Sequence, residues 1–173
     1  MTKLKGELTN VGKQATNNRA GALCAMRKMM ETSAAVAEPF VVADLALILA
    51  AAADKMKPVS MEADLTAKAL VKALSPQALG SVLPAILDEG DGKWQVNLLR
   101  AELLSTLATK APKQMGRNLT EVVPVLSGLM WDTKAQVKEA ATSAIAVDKP
   151  PPANRSLPGP PPTPWKRSPL RLH

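Results

Sequence analysis

"VVPVLSGLMWDTKAQV" (Val122–Val137) nearly repeats an earlier stretch, "VLPAILDEGDGKWQV" (Val82–Val96). In each, a proline follows an apolar pair inside a helix-like run: Pro84 in the first copy, Pro124 in the second, 40 residues apart. A polar turn then leads into Lys-x-Gln-Val. Lys93, Gln95 and Val96 match Lys134, Gln136 and Val137 at a shift of 41 residues. Two amphipathic runs joined by a short turn, recurring about every 40 residues, specify stacked helix pairs.

Each repeated position has a physical task. A proline inside the first helix removes one amide donor and kinks the helix, so the pair curves around its neighbours. Asp132 or Thr133 is placed to accept from the free amides of the second helix, and Thr133 with Gln136 has capping-box spacing. Val96 and Val137 point into the layer between repeats, and Lys138 can reach back over the turn to Asp132. In the earlier copy Asn97 stands where Lys138 would be, which leaves that ladder incomplete. A weaker third unit covers about residues 37–74. A proline in the first helix, an Asp at the corner and a Val-Lys pair in the second helix form the pattern of HEAT repeats.

The rest of the chain agrees with helices. Its 173 residues include one Phe, no Tyr and three Trp, while Ala and Leu abound. That balance favours helix over strand. Periodicity and breakers predict helices over about 17–33, with Leu23, Met26, Met29 and Met30 as its apolar stripe, and over 39–53. A third covers about 61–74, with Leu65, Ala69, Leu70 and Ala73 on one face. Ser75 can cap a fourth, with Pro76 in its first position, carrying Leu79, Val82, Leu83, Ile86 and Leu87. Further helices run over 94–109, 119–130 and 134–147. All have about 12–17 residues and short connections, as antiparallel pairs require. The expected fold class is all-α, an α-solenoid of about three to four antiparallel helix pairs. Residues 1–147 form this partial solenoid and residues 148–173 a disordered Pro-rich basic tail.

Several chemistries lack their residues. Cys24 is the sole cysteine, so no intramolecular disulfide forms, and a buried structural thiol is expected there. His173, the last residue, is the only histidine. No His-based triad or His/Cys zinc set can therefore assemble within the folded part. "GELTNVGKQ" (Gly6–Gln14) approaches a phosphate-binding loop, but five residues separate its glycines and Gln14 follows Lys13. The acidic turn of Asp88, Glu89 and Asp91 lacks the alternate spacing and closing Glu of a calcium loop. Asn118-Leu119-Thr120 and Asn154-Arg155-Ser156 match the glycosylation triplet without a secretion signal upstream. In the most apolar stretch, 34–53, Glu38, Pro39 and Asp44 interrupt any membrane span. No catalytic, cofactor-binding or metal-binding residue is expected.

The net charge of +7 is uneven. Residues 148–173 hold five Lys/Arg against one Asp, and nine of the chain's fifteen prolines. Proline fixes φ and removes donors, so no helix continues there. In the folded part Lys93, Arg100, Lys134 and Lys138 lie on the second helices of adjacent repeats. Stacking would bring them into a phosphate-facing row, the candidate RNA contacts, although solvated lysines and ion pairs to Asp132 and Glu139 are the plainer alternative. Trp94 and Trp131, near the turns, are expected to pack between repeats rather than stack on RNA.

The stretch Gly92–Ile145 closely resembles the N-terminal HEAT region of translation elongation factor 3. Lys93-Trp94-Gln95 and the block from Pro124 through Lys134, with Trp131 and Asp132, carry the likeness, which extends loosely over about residues 15–147. The resemblance implies a cytoplasmic protein of translation elongation whose solenoid docks on the ribosome, on rRNA and ribosomal proteins. It implies that ATP chemistry resides in later cassettes of the ABC class, which this sequence does not reach, so the chain is expected to be no enzyme. No membrane, cofactor or small-molecule substrate is expected. A general protein–protein scaffold, similar to Gcn1, is the alternative. Where the family continues into further repeats, the tail reads as a natural short form with a ligand for proline-reading modules, or as a truncated product of a wrong frame or unspliced intron. The second is favoured. In both cases an apolar face near Val137, Ala141 and Ile145 is expected to stay uncovered.

Overall fold

The computed structural model describes residues 2–9, 15–88 and 92–147, and among these there is no strand. Helix α1 (Thr2–Thr9) is followed by α2 (Ala15–Ala43), α3 (Leu45–Ala52) and α4 (Lys57–Ala73). A 3₁₀ turn at Pro76–Ala78 opens α5 (Leu79–Leu87). Then come α6 (Trp94–Lys110), α7 (Pro112–Arg117), α8 (Leu119–Met130) and α9 (Ala135–Val147). The tail beyond Val147 lies outside the described residues.

Helices pack as stacked pairs. α3 rests on α4, α5 on α6 and α8 on α9, while α2 packs against α4 and carries α1 on it. The second helices α4, α6 and α9 lie side by side, so the fold is an α-solenoid. One apolar cluster runs through all layers, from Leu8 to Ala144.

The boundaries differ from the sequence expectation in instructive ways. α2 is two helices in one path, broken at Ser33 (φ −146°, ψ 56°). Helix resumes at once because Ala34, Ala35 and Ala37 are strong helix formers, and Pro39 falls inside it. The real corner comes at Asp44, where α3 departs from α2 by 74°. Asp44 is buried there, its carboxylate 3.1 Å from Lys5 Nζ, so the charge faces α1 at a corner instead of sitting mid-helix. α3, α5 and α7 have 8, 9 and 6 residues, shorter than the expected range. α7 was not predicted. Pro112 opens it and Met115 alone anchors it in the core.

Two apolar stripes are also rotated. In α2, Leu23, Met26 and Met30 are buried, but Met29 is 37% exposed. In α4 the buried face is Val59, Ala63, Ala67, Leu70 and Val71, and Leu65 is left 44% exposed. The small Ala63 and Ala67 let α2 approach closely. Between them Thr66, fully buried, directs its hydroxyl at Leu23 O (3.0 Å) and Glu62 O (2.6 Å). This hydroxyl reads as an apolar-face interruption in sequence and as an interhelix tie in the fold.

Polar ties join the layers elsewhere. Ser75 does not cap its own helix. It donates its amide (3.1 Å) and hydroxyl (2.7 Å) to the Glu38 carboxylate, holding the start of α5 to α2. Lys110 Nζ donates to the carbonyls of Val71 and Lys72, which α4 leaves unpaired at its end. Burial pushes the Lys110 ammonium below its ordinary value, with Glu38 opposing.

At the far end, Val137 and Ala141 are buried, not uncovered, because α9 packs against both α6 and α8. Ile145 (38%) and Val123 (49%) remain exposed. Among the described residues no single helix is long and apolar enough to cross a membrane.

Candidate nucleic-acid interface

The turns between paired helices share one edge of the solenoid, and their aspartates are held internally. Asp132 Oδ1 accepts from the Lys134 amide (2.9 Å), satisfying one free donor at the start of α9. Its Oδ2 accepts from Asn97 Nδ2 of the preceding layer (3.0 Å). Asp54 repeats the arrangement in the α3–α4 turn. Its Oδ1 takes the Met56 amide (2.8 Å), and its Oδ2 pairs with Arg19 Nη1 at 2.6 Å. Each turn carboxylate thus caps its own helix and ties it to the layer before.

Of the two expected caps, Asp132 and Thr133, Asp132 is the one used, and the Thr133 hydroxyl donates to Asp132 Oδ1 at 3.5 Å. Two other expectations are corrected. Lys138 is exposed and forms no ion pair with Asp132, whose Oδ2 accepts from Asn97 instead. Asn97, read as a missing rung, is the rung itself. The capping amide pulls the Asp132 carboxyl below its ordinary value, helped by Asn97 and opposed by burial. Deprotonated Asp132 therefore stabilises the fold fully above the unfolded carboxylate range and loses that contribution as pH falls through its lowered value. Asp132→Ala is expected to cost about 1 kcal/mol at pH 7. The gap to wild type should narrow below about pH 4 in urea unfolding at both pH values.

Arg100 is not part of a surface row. It is 2% exposed, and its Nε and Nη2 donate to Ile86 O (2.5 Å) and Leu87 O (2.6 Å). Nη1 reaches Asn97 Oδ1 (3.3 Å), so the guanidinium orients the amide that holds Asp132. Helical spacing put Arg100 beside the lysines. The end of α5, with carbonyls needing donors, turned it inward.

Lys93, Lys134 and Lys138 are exposed, at the start of α6, in the α8–α9 turn and in the first turns of α9. Lys55 and Lys57, at the α3–α4 turn, are exposed on the same edge and were missed as candidates. Their signal was available, since Asp54-Lys55-Met56 has the same Asp-x-amide cap as Asp132-Thr133-Lys134. Pro84 and Pro124 both occupy the sixth position of their helices and are exposed. Val96 and Val137 are buried.

The tryptophans part company. Trp94 is 38% exposed and lines one groove with Ala52, Ser60 and Met61 of neighbouring helices. Trp131, the C-cap residue of α8, is 85% exposed, contrary to the packing expected of it. A cleft of about 220 Å³ opens between the last two layers, lined by Gly92, Asn97, Arg100, Pro124, Gly128 and Asp132. Gly92 is the one described residue with a left-handed backbone (φ 63°), which a side chain would strain. Glu89 and Asp91 of the acidic turn, and most of the phosphate-loop near-match, lie outside the described residues. The edge offers ammonium groups and an exposed indole, which is binding chemistry.

A family model described as "EF3 N-terminal HEAT repeat" matches residues 1–145. Elongation factor 3B of Saccharomyces cerevisiae is 35% identical over 135 residues, covering 77% of this chain and 13% of that protein. Elongation factor 3 of Candida glabrata is 40% identical over 110 residues, covering 62% and 10%. The eIF-2-alpha kinase activator GCN1 of Dictyostelium discoideum is 34% identical over 135 residues, covering 78% and 5%. The chain thus spans about a tenth of the length of the elongation factors it matches.

Proposed function

Since the chain belongs to the EF3 N-terminal HEAT repeat family, we propose that it is a ribosome-docking module of translation elongation, without catalysis of its own. It acts in the cytoplasm, and residues 1–147 form the docking unit. One observation carries this reading: Asp54 and Asp132 are bound inside the interlayer ladder, while Lys55, Lys57, Lys134 and Lys138 at the same turns are exposed. Lys55, Lys57, Lys93, Lys134 and Lys138 then present a row of positive charge, with exposed Trp131 beside it. Phosphate backbones are held by such charge, and an exposed indole can stack on an unpaired base.

The similarity to GCN1 supports a second reading, a scaffold whose surface contacts proteins and whose lysines are incidental. Co-sedimentation of the full chain with ribosomes at two salt concentrations separates the two. The docking reading expects pelleting at low salt that weakens steeply as salt rises. The triple variant Lys93→Glu, Lys134→Glu and Lys138→Glu should flatten the salt dependence by about 2–3 units of log–log slope. A triple variant that pellets like wild type at both salt concentrations would count for the scaffold.

A further inference from the structure

A groove on the face of the second helices has no task in the fold. It holds about 300 Å³ and is lined by Met61, Asp64 and Leu65 of α4 and by Trp94, Gln95 and Leu98 of α6. Met61 is 54% exposed, Leu65 44% and Trp94 38%. Three large apolar side chains lining one open groove mark a contact surface. A two-turn helix, about 11 Å long and 10 Å across, displaces roughly 850 Å³, so the groove takes a smaller group than a helix.

We propose that the groove takes an unpaired base of an RNA strand, stacked on Trp94 and backed by Met61 and Leu65. This names the element recognised beside the ribosome-docking edge and rests on that reading. The residue types are those of single-strand recognition: an indole face for the base, apolar side chains around it and a cation for the phosphate. Gln95, exposed beside Trp94, adds an amide with both a donor and an acceptor, which suits the N6 and N7 edge of adenine. A base inside a duplex is already stacked and paired, so it cannot enter.

Charge favours a nucleotide over an apolar protein side chain. Lys57, Met61 and Leu65 recur at i, i+4 and i+8, so exposed Lys57 shares the groove face of α4 one turn before Met61. Exposed Lys55 lies two residues earlier. The acidic groups around them are already matched. Asp54 pairs with Arg19, and Glu31 and Glu62 pair with Arg27 and Lys28. Asp64 and Glu102 share Lys68, with Lys72 one turn further along α4. Asp88 lines a different pocket, with Ala46 and Ala85. Lys55 and Lys57 are thus surplus positive charge beside the groove, where the phosphate of a seated base would lie.

Binding of the full chain to fluorescein-labelled oligoadenylate, as a single strand and annealed to oligouridylate, tests the site by fluorescence anisotropy. At salt high enough to mute the phosphate attraction, wild type should hold the single strand roughly 5- to 150-fold more tightly than the duplex, the worth of one stacked base. Trp94→Ala should remove that preference and leave the slope of log K against log salt unchanged. Lys57→Ala should keep the preference and lower the slope by about 0.7. Met61→Ser, at an exposed position, should weaken the preference even if the indole is needed for folding. Phe40→Ala, at an exposed position of α2, should change neither quantity. Equal affinity of wild type for the two forms would overturn the proposal. So would a Trp94→Ala chain that melts like wild type and keeps the preference. Loss of ribosome pelleting by Trp94→Ala with unchanged oligoadenylate binding would overturn it as well and give the groove to a ribosomal protein. Docking itself is read by pelleting of the wild type, which a failed base site leaves intact.

Discussion

Replacing Arg100 by leucine is expected to destabilise this protein more than removing any surface lysine, although spacing alone places Arg100 among them. The guanidinium is 2% exposed and supplies the donors for Ile86 O and Leu87 O at the end of α5. Leaving a buried acceptor unpaired costs about 1–3 kcal/mol, so two carbonyls amount to roughly 2–6 kcal/mol. Leucine fills part of the volume but donates to neither. Asn97 also loses the contact that orients its amide, so the tie to Asp132 should loosen. A domain of this size loses about 2–4 °C of Tm per kcal/mol, so the expected fall exceeds about 4 °C. Arg100→Lys should recover part of it, because one ammonium can reach one carbonyl but lacks the planar fork for both. If Arg100→Leu melted within a degree of wild type, the buried clamp would be wrong. Loss of ribosome pelleting well below the melting range, with unchanged Tm, would return Arg100 to the surface row.

Leu104→Ala should be comparably damaging, for a reason rooted in the architecture. Leu104 is fully buried on α6, the helix that packs against α4 on one side and α9 on the other. Truncating a buried leucine to alanine costs about 2–5 kcal/mol through lost transfer energy and the cavity left behind. In a stack where each layer contacts only its neighbours, a central defect weakens two interfaces and an outer one weakens a single interface. Leu126, almost equally buried on α8, lies in the last described layer, so Leu126→Ala should cost less. Urea unfolding of the two variants makes the comparison. A larger loss for Leu126→Ala would show that the last pair, not the centre, holds the stack together.

Much of this architecture is legible in the sequence, and the limits are as informative. The 40-residue recurrence from Pro84 to Pro124 and the paired Lys-x-Gln-Val runs correspond to two stacked helix pairs. Local chemistry is enough for this, since a helix and its turn are set by residues within a few positions of each other. The candidate site was read less well. Lys93, Lys134 and Lys138 are exposed, but Arg100 is buried, and Trp131 is exposed instead of packed. Lys55 and Lys57 escaped notice because the unit around them lacks the internal proline at the matching place.

By itself the sequence determined helix content, the repeat period, the helix pairing and the family. Those depend on propensity, apolar spacing and turn residues, all of them local or periodic. Only the tertiary structure decided which polar side chains serve the layers and which serve the surface. Arg100 and Lys138 are both cations on the second helix of a repeat, and nothing in their own neighbourhoods separates them. The difference lies in what the adjacent helix offers. The end of α5 presents unpaired carbonyls to Arg100, whereas Lys138 stays exposed and the aspartate of its turn is held by Asn97. Burial of a charge is decided by the partner waiting in the next layer, and that partner is remote in sequence.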